Sequence, residues 1–463
     1  MWKTIQNQYI FFVLVILLVL LRAGISCAEF TIDDEKKAGK EFYNNLVKYK
    51  LIAENKKLNN YITKIGNRIL AQSDKAPFEF HFYVVDISAI NAFATPGGFI
   101  YICKGLINAV ENEAQLAGVI AHEIAHANSR HIASIIEKSK KLNYATLAGL
   151  LAGALLGGGG EGTAAVAALT MAGASAMTLK YQREHEEEAD KLGITYLVAA
   201  GYYPNAMIDF LKIMKSYEFF SRRIPSYLLT HPGTDIRIFY LDGLIQMKYR
   251  HDGAKNIIGN FNRMQAQALL MSDSNNLQVR YVQLLEDIKK EPRNPDLLYC
   301  LAAIEDKMNQ TDKALANYEK ALAIMPDDLD ILNSIGLLYL RIGNARQAKD
   351  YLLRAVNLDS SRDETMFSLG KAYLALGNYQ KALECFIRRE NRVLAEPDIN
   401  YFIATAYGKQ NNQGESHYYF GLHFRKDKKD KSALFHFNEA LKYFAADSAR
   451  AESIRQEIAT LKK

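Results

Sequence analysis

"AQLAGVIAHEIAHANSRH", Ala114 to His131, is an apolar stretch interrupted by charge. His122 and His126 stand four residues apart, so on a helix they share one face. Both imidazoles can then reach one zinc ion. Glu123 follows the first of them and can take a proton from water at the metal. The surroundings are Leu116, Ala117, Val119, Ile120, Ile124 and Ala125. Burying two histidines and a glutamate among such residues is costly unless they are paired or bind metal. The stretch therefore reads as the central helix of a buried zinc site. It is expected to start near Asn112, with Glu113 in its first turn, and to continue through His131.

A catalytic zinc takes three protein ligands and keeps one open position. His131 is the nearest further histidine. On a continuous helix it lies about 140° round from His126, at ~100° per residue. It also misses the metzincin spacing, which needs a glycine at Ser129 and a histidine at Ile132. The third ligand is therefore expected from "REHEEEAD", Arg183 to Asp190.

Before the zinc helix, residues 29 to about 77 read as helical, and Phe80 to Asp86 as a strand. Asn91 to Gly105 reads as a hairpin that turns at Thr95, Pro96, Gly97 and Gly98 and returns along Phe99 to Cys103. Asn91, Ala92, Phe93 and Ala94 are expected to form the edge along which an extended substrate pairs. After the helix, Leu147 to Leu179 is rich in glycine and alanine and broken at Gly157 to Gly162. It reads as a buried or lid-like helical pair rather than a membrane span. Its composition is also compatible with contact at a membrane surface.

From Pro295 the pattern becomes a repeat of period 34, with units starting at Pro295, Leu329 and Asp363. Ala302, Gly336 and Gly370 coincide, as do Ala314, Ala348 and Ala382, and Tyr318, Leu352 and Phe386. Small residues there let two helices cross closely, and the larger side chain fills the gap. This is the tetratricopeptide pattern. Arg389 replaces the alanine of Ala321 and Ala355, which weakens the third unit. An extra helix is expected around Asp398 to Lys409. A further unit follows from Gly414, with Gly421, Ala433, Phe437 and Ala440 in register, and then a capping helix.

The chain has 463 residues, enough for two or three domains. Its net charge of +6 does not indicate nucleic acid, and no such partner is expected. Lys3, the apolar run Ile10 to Leu21 and the small residues Ser26 to Ala28 read as a signal peptide cleaved after Ala28, with an uncleaved anchor as the alternative. Export to the periplasm follows from the cleaved form. Cys103, Cys300 and Cys385 remain, widely spaced and odd in number, so buried free thiols are expected rather than a disulfide framework. The expected domains are 1–28 signal peptide, 29–255 catalytic, 256–294 helical linker, 295–447 repeats and 448–463 capping helix.

"HEIAH", the later "EEEAD" and "HPGTDIR" (His231 to Arg237) resemble the gluzincin metallopeptidases of the HtpX, CAAX-prenyl-protease and Oma type, as does "NAFATPGGFIYICKGL" ahead of the zinc helix. A leader in front and repeats behind narrow the resemblance to exported members that serve outer-membrane protein assembly as protease and chaperone. It covers about residues 29 to 447. The resemblance implies one zinc per chain, held by His122, His126 and Glu186, with Asp190 behind a ligand histidine. The spacing of Glu186 and Asp190, four apart on one helix face, agrees. Glu184, Glu187 and Glu188 are expected to be solvated, and His185 to be a surface histidine. By resemblance His231 stands close to the zinc, as a latch in the open position or as a transition-state donor. Arg237 positions the site or stabilises the oxyanion.

The expected fold is mainly α: an α+β zincin-type metallopeptidase domain with a small sheet, followed by an α-solenoid of tetratricopeptide repeats. The expected activity is zinc-dependent peptide hydrolysis with Glu123 as base. Unfolded or misassembled envelope proteins are the expected substrates, and the outer-membrane assembly machinery the expected partner of the repeats. The alternative is mainly a chaperone or scaffold with a latent metal site.

Overall fold

A computed structural model of the chain describes residues 30–138, 176–220, 225–249, 252–271, 274–388, 392–393 and 398–461. The expected signal peptide and nearly all of 147–179 lie outside the described residues. Among those described, no helix is long and apolar enough to cross a membrane. The chain divides into two units at Phe261/Asn262.

The first unit opens with α1 (Ile32–Lys48) and α2 (Lys56–Leu70). Thr31 and Asp34 form a reciprocal capping box on α1, and the Asn55 side chain caps α2. α2 buries Leu58, Ile62, Ile65 and Ile69, one face of a 3.6-residue period. Three strands follow: β1 (His81–Val85), β2 (Ala92–Thr95) and β3 (Phe99–Cys103). β3 is central, parallel to β1 and antiparallel to β2. The β2–β3 turn uses Gly97 and Gly98 at φ +79° and +84°, a region that disfavours side chains with a Cβ. β2 is therefore an edge strand.

α3 (Lys104–Ala109) leads into α4 (Glu113–Asn128), the helix expected to hold zinc, which the Asn112 side chain caps. Glu113 does more than sit in a first turn. Its buried carboxylate accepts hydrogen bonds from Tyr61 Oη (2.7 Å), Tyr202 Oη (2.9 Å) and the backbone N–H groups of Ile257, Ile258 and Gly259 (2.8, 2.8 and 3.0 Å). The start of the zinc helix is thus tied to the last strap of its own unit.

The sequence reading carries this helix through His131, and the structure does not. The helix ends at Asn128, Arg130 takes φ +51°, and a new helix, α5 (His131–Lys138), begins. The cause is distant in sequence. Arg130 Nε donates to the buried Glu35 of α1 at 2.6 Å, and Nη2 donates to the Phe30 carbonyl at 3.0 Å. Those bonds offset a backbone conformation that costs a non-glycine residue roughly 1–2 kcal/mol.

α6 (Ala176–Ala199) carries "REHEEEAD" and packs along α4. The crossing is tight at Gly193, where an added Cβ would stand 3.1 Å from His122 N. Glu186, Asp190 and Gly193 recur at four and three residues, so the face that touches α4 also delivers both acids. α7 (Ala206–Phe220), α8 (Ser226–Thr230) and α9 (Thr234–Lys248) complete the unit.

The second unit starts with α10 (Phe261–Leu270) and α11 (Ser274–Lys290). The helix pairs α12/α13 (Pro295–Lys307, Thr311–Ile324), α14/α15 (Leu329–Arg341, Ala345–Leu358) and α16/α17 (Asp363–Ala375, Tyr379–Phe386) follow. Ala266, Leu269, Leu277 and Leu284 join the core of the first repeats, so α10 and α11 pack as part of the solenoid rather than as a bare linker. Within the pairs, small meets large: an added Cβ on Gly336 would meet Leu352 at 2.5 Å, and one on Gly370 would meet Phe386 at 2.3 Å. α17 is short, and a two-residue ladder of β4 (Ile387–Arg388) and β5 (Arg392–Val393) follows where the repeat pattern lapses at Arg389. α18 (Ile399–Lys409), α19 (Gln413–Lys426), α20 (Asp430–Leu441) and α21 (Ala449–Leu461) continue around a second core that includes Phe386, Ile403 and Phe437. Cys103, Cys300 and Cys385 are free and buried, and burial pushes each thiol up to about 12.

Candidate active site

α4 presents His122 and His126 toward α6, and the turn after α8 presents His231 from the opposite side. His122, His126, Glu186 and His231 are all buried and form one candidate metal group. His122 Nε2 lies 3.0 Å from His126 Nε2 and 3.3 Å from Glu186 Oε2. Glu186 Oε1 lies 3.3 Å from His126 Nε2. His231 Nδ1 lies 3.3 Å from His122 Nε2 and 3.1 Å from Glu186 Oε1. A zinc ion with nitrogen and oxygen donors at about 2.0–2.1 Å places tetrahedral corners about 3.3 Å apart. Donor types and spacing therefore fit zinc.

Glu123 is not in that group. Its Oε2 accepts the Ala94 N–H at 2.9 Å, and its Oε1 lies 3.4 Å from His231 Nε2. The carboxylate thus stands between the edge strand and the candidate metal group.

Asp190 is fully buried behind the ligands. Its Oδ1 lies 2.9 Å from His122 Nδ1, a contact that turns His122 Nε2 toward the candidate metal group. Arg237 grips the same carboxylate with two donors, Nε to Oδ2 at 2.8 Å and Nη2 to Oδ1 at 2.7 Å, and its Nη1 lies 2.9 Å from Glu186 Oε2. Its charge faces two carboxylates, Glu186 and Asp190. Tyr240 also donates to Asp190 Oδ2. Burial alone would raise the Asp190 and Glu186 carboxyls. For Asp190, Arg237 and His122 outweigh it; for Glu186, His231, Arg237 and His126 do. Both are held well below the usual carboxylate range. Burial and Arg237 push His122 down, but Asp190 and Glu186 carry it up to about 9. Burial drives His126 down to about 3, so it is neutral and ready to ligate.

The His231 turn is pinned to the sheet. Tyr227 N–H and Ser226 Oγ both donate to the Ile90 carbonyl, at 3.0 and 3.2 Å, and Thr230 Oγ1 donates to Asn91 Oδ1 at 3.3 Å. The Tyr227 ring stacks on His231 with centroids 4.5 Å apart. The edge strand itself is buried along Asn91 to Ala94. Cys103 N–H donates to the Asn91 carbonyl, and the register alternates from there. Phe93 is therefore bonded inward to Tyr101, and its ring stacks on Tyr101. Ala92 and Ala94 turn their backbone groups outward. Phe93 is a core residue; the outward positions are its neighbours.

One expectation needs correction. His185 is half-buried and stacks on His131 at 4.1 Å with an interplanar angle of 14°, so it is not a surface histidine. Glu188 is exposed but engaged: it accepts from Ser129 Oγ at 2.9 Å, and its Oε2 lies 3.3 Å from His131 Nε2. Glu187 pairs with Lys191 on the wet face. Tyr227, Tyr240 and Gly193 escaped the sequence reading. An isolated glycine three residues after Asp190, inside a helix, was the available signal for the last.

Residues 56–245 match the model of peptidase family M48, and residues 263–398 match a tetratricopeptide repeat model. Residues 56–245 form a peptidase family M48 domain. The beta-barrel assembly-enhancing protease of Yersinia pestis is 30% identical to this chain over 317 residues, 67% of this chain and 64% of that protein. The Escherichia coli (strain K12) protein of the same name is 36% identical over 183 residues, 39% and 37% of the two chains. The mitochondrial metalloendopeptidase OMA1 of Schizosaccharomyces pombe is 25% identical over 221 residues, 45% and 60%. The aligned part of this chain spans less than two thirds of each relative. The M48 domain contains every residue of the cluster just described, and the repeats begin after it.

Proposed function

We propose that this chain is an exported zinc-dependent endopeptidase in the quality control and assembly of outer-membrane or other envelope proteins, with a chaperone role. One observation carries the reading: four buried donors lie within 4.8 Å of one another with Glu123 beside them, outside the donor set. The names of the relatives support the setting. The test is hydrolysis of an unfolded outer-membrane protein by the full chain, with and without a chelator. Absence of chelator-sensitive cleavage, even with His231→Ala, would overturn the proposal.

His122, His126 and Glu186 would hold the ion. Zinc, when bound, acidifies water and polarises a peptide carbonyl. Glu123 takes the proton from the attacking water and delivers it to the leaving amine nitrogen. Asp190 keeps His122 in the tautomer that ligates, and Arg237 keeps both acids ionised in a dry site. The repeats dock clients or the outer-membrane assembly machinery; exposed helix faces of such solenoids suit that task.

His231 serves as a latch. Its Nδ1 stands within the donor set, in the position water needs, and its stack on Tyr227 holds it there. His231→Ala should therefore raise basal client cleavage several-fold without loss of zinc. A fall in cleavage, with zinc retained, would assign His231 to catalysis instead. The same contact favours a second reading, a chaperone or scaffold with a latent metal site, and cleavage that stays absent in His231→Ala would support it.

The substrate strand pairs with the outward N–H and carbonyl of Ala92 and with the Ala94 carbonyl, since the Ala94 N–H is already given to Glu123. Proline at Phe93 would break the ladder to β3 and so test folding rather than substrate binding. Ala92→Pro removes an outward N–H and spares the ladder. It should lower peptide turnover at least several-fold with zinc content and thermal midpoint unchanged; turnover equal to wild type would remove β2 as the substrate edge.

A further inference from the structure

The break at Arg130 sets a second histidine against a metal ligand. His131 Nδ1 lies 2.8 Å from His126 Nδ1, and His131 Nε2 lies 3.3 Å from Glu188 Oε2. Ser129 Oγ donates to the other Glu188 oxygen at 2.9 Å. The His185 ring covers His131 from one side. His131 is buried, whereas the Glu188 side chain is 53% exposed, so the chain of contacts runs from the ligand to the surface.

The proton positions along this chain follow from one another. His126 turns Nε2 toward His122 and Glu186, so Nε2 is the ligating atom. Its Nδ1 then carries the hydrogen and can only donate. His131 Nδ1 must accept that bond, which places the single proton of a neutral His131 on Nε2. Glu188, an acceptor only, receives it there. Each tautomer is set by its neighbour, and no two donors or acceptors collide.

We propose that His131 is a positioning residue of the metal centre: backed by Glu188 and covered by His185, it fixes the ring plane and tautomer of His126 and so sets zinc affinity. This rests on the reading of His122, His126 and Glu186 as zinc ligands. Outer partners of ligand histidines commonly shift metal affinity by about 10–100-fold.

The test is zinc competition against a chromophoric chelator, using the purified full chain. His131→Ala should bind zinc about 10–100-fold more weakly than wild type. His131→Gln offers an amide oxygen to His126 and an amide N–H to Glu188, and should recover most of the loss. Glu188→Gln should weaken binding by a smaller factor. In the cobalt-loaded protein, His131→Ala should shift the visible ligand-field bands and His131→Gln should restore them. Wild-type affinity in His131→Ala, or a glutamine variant no better than alanine, overturns the proposal. Should His131→Ala fail to fold, Glu188→Gln decides alone, and wild-type affinity there overturns it. A wild-type protein that takes up no zinc overturns the metallopeptidase reading itself, a result distinct from equal uptake by wild type and variant.

Discussion

Glu123→Gln is expected to lower cleavage of an unfolded client by about 10²–10⁴-fold, the range of a lost general base, with zinc still bound stoichiometrically. The geometry makes this a clean substitution. Glu123 lies outside the donor set, so its loss leaves the ligands in place. Its Oε2 accepts the Ala94 N–H, and the glutamine carbonyl can keep that bond. What glutamine cannot do is accept a proton from water at neutral pH. Client hydrolysis and zinc content should be measured on the same preparation. Undiminished cleavage with full zinc would defeat Glu123 as base. Chaperone-type rescue of clients by the inactive variant would show that the repeats act independently of hydrolysis.

Asp190→Asn should do the converse, reducing zinc affinity about 10–100-fold and lowering the stability of the metal-free protein. One oxygen pair serves His122, Arg237 and Tyr240. An amide offers one oxygen and an unwanted donor, and Arg237 is left buried without its twofold grip. Breaking such a buried pair costs about 3–5 kcal/mol. The acid limb supplies a second check. The Asp190 carboxyl is held below its ordinary value, so its stabilisation is fully present above about pH 4 and is lost as pH falls below that. Metal-free Asp190→Asn should lose less stability than wild type over that window. Equal zinc affinity and equal acid sensitivity in the two proteins would show that Asp190 contributes nothing to the centre.

Local pattern revealed the parts of this molecule that depend on local pattern. The spacing of His122 and His126, the alternation and glycines of the β2–β3 hairpin, and the 34-residue period each need only a few neighbouring residues to be read. Glu186 and Asp190 follow from helix geometry once a third ligand is sought. Contacts between distant segments were not legible. Arg130 breaks the zinc helix because of Glu35, ninety-five residues earlier, and that break moves His131 from the far side of a helix to the edge of His126. His185 and Glu188 acquire roles only through it. Phe93 looked like an edge residue, but which of its faces is outward depends on the register of β2 with β3, and the sequence alone does not set that register. The stretch read as a linker, 256–294, carries helices that pack into the first repeats, and the tetratricopeptide match already takes it in from residue 263.

The three buried thiols give this protein a property separate from its chemistry. Cys103 lies in the sheet of the M48 domain, Cys300 in the first repeat and Cys385 in the third. None is cross-linked, and burial holds each in its unreactive protonated form. An alkylating reagent reaches each sulfur only when its own region opens. The rates at which the three sites take label therefore report three separate opening equilibria, one in the M48 domain and two along the solenoid. Adding zinc or a client and following which of the three slows would locate the regions that each ligand holds shut, with no mutation and no attached probe.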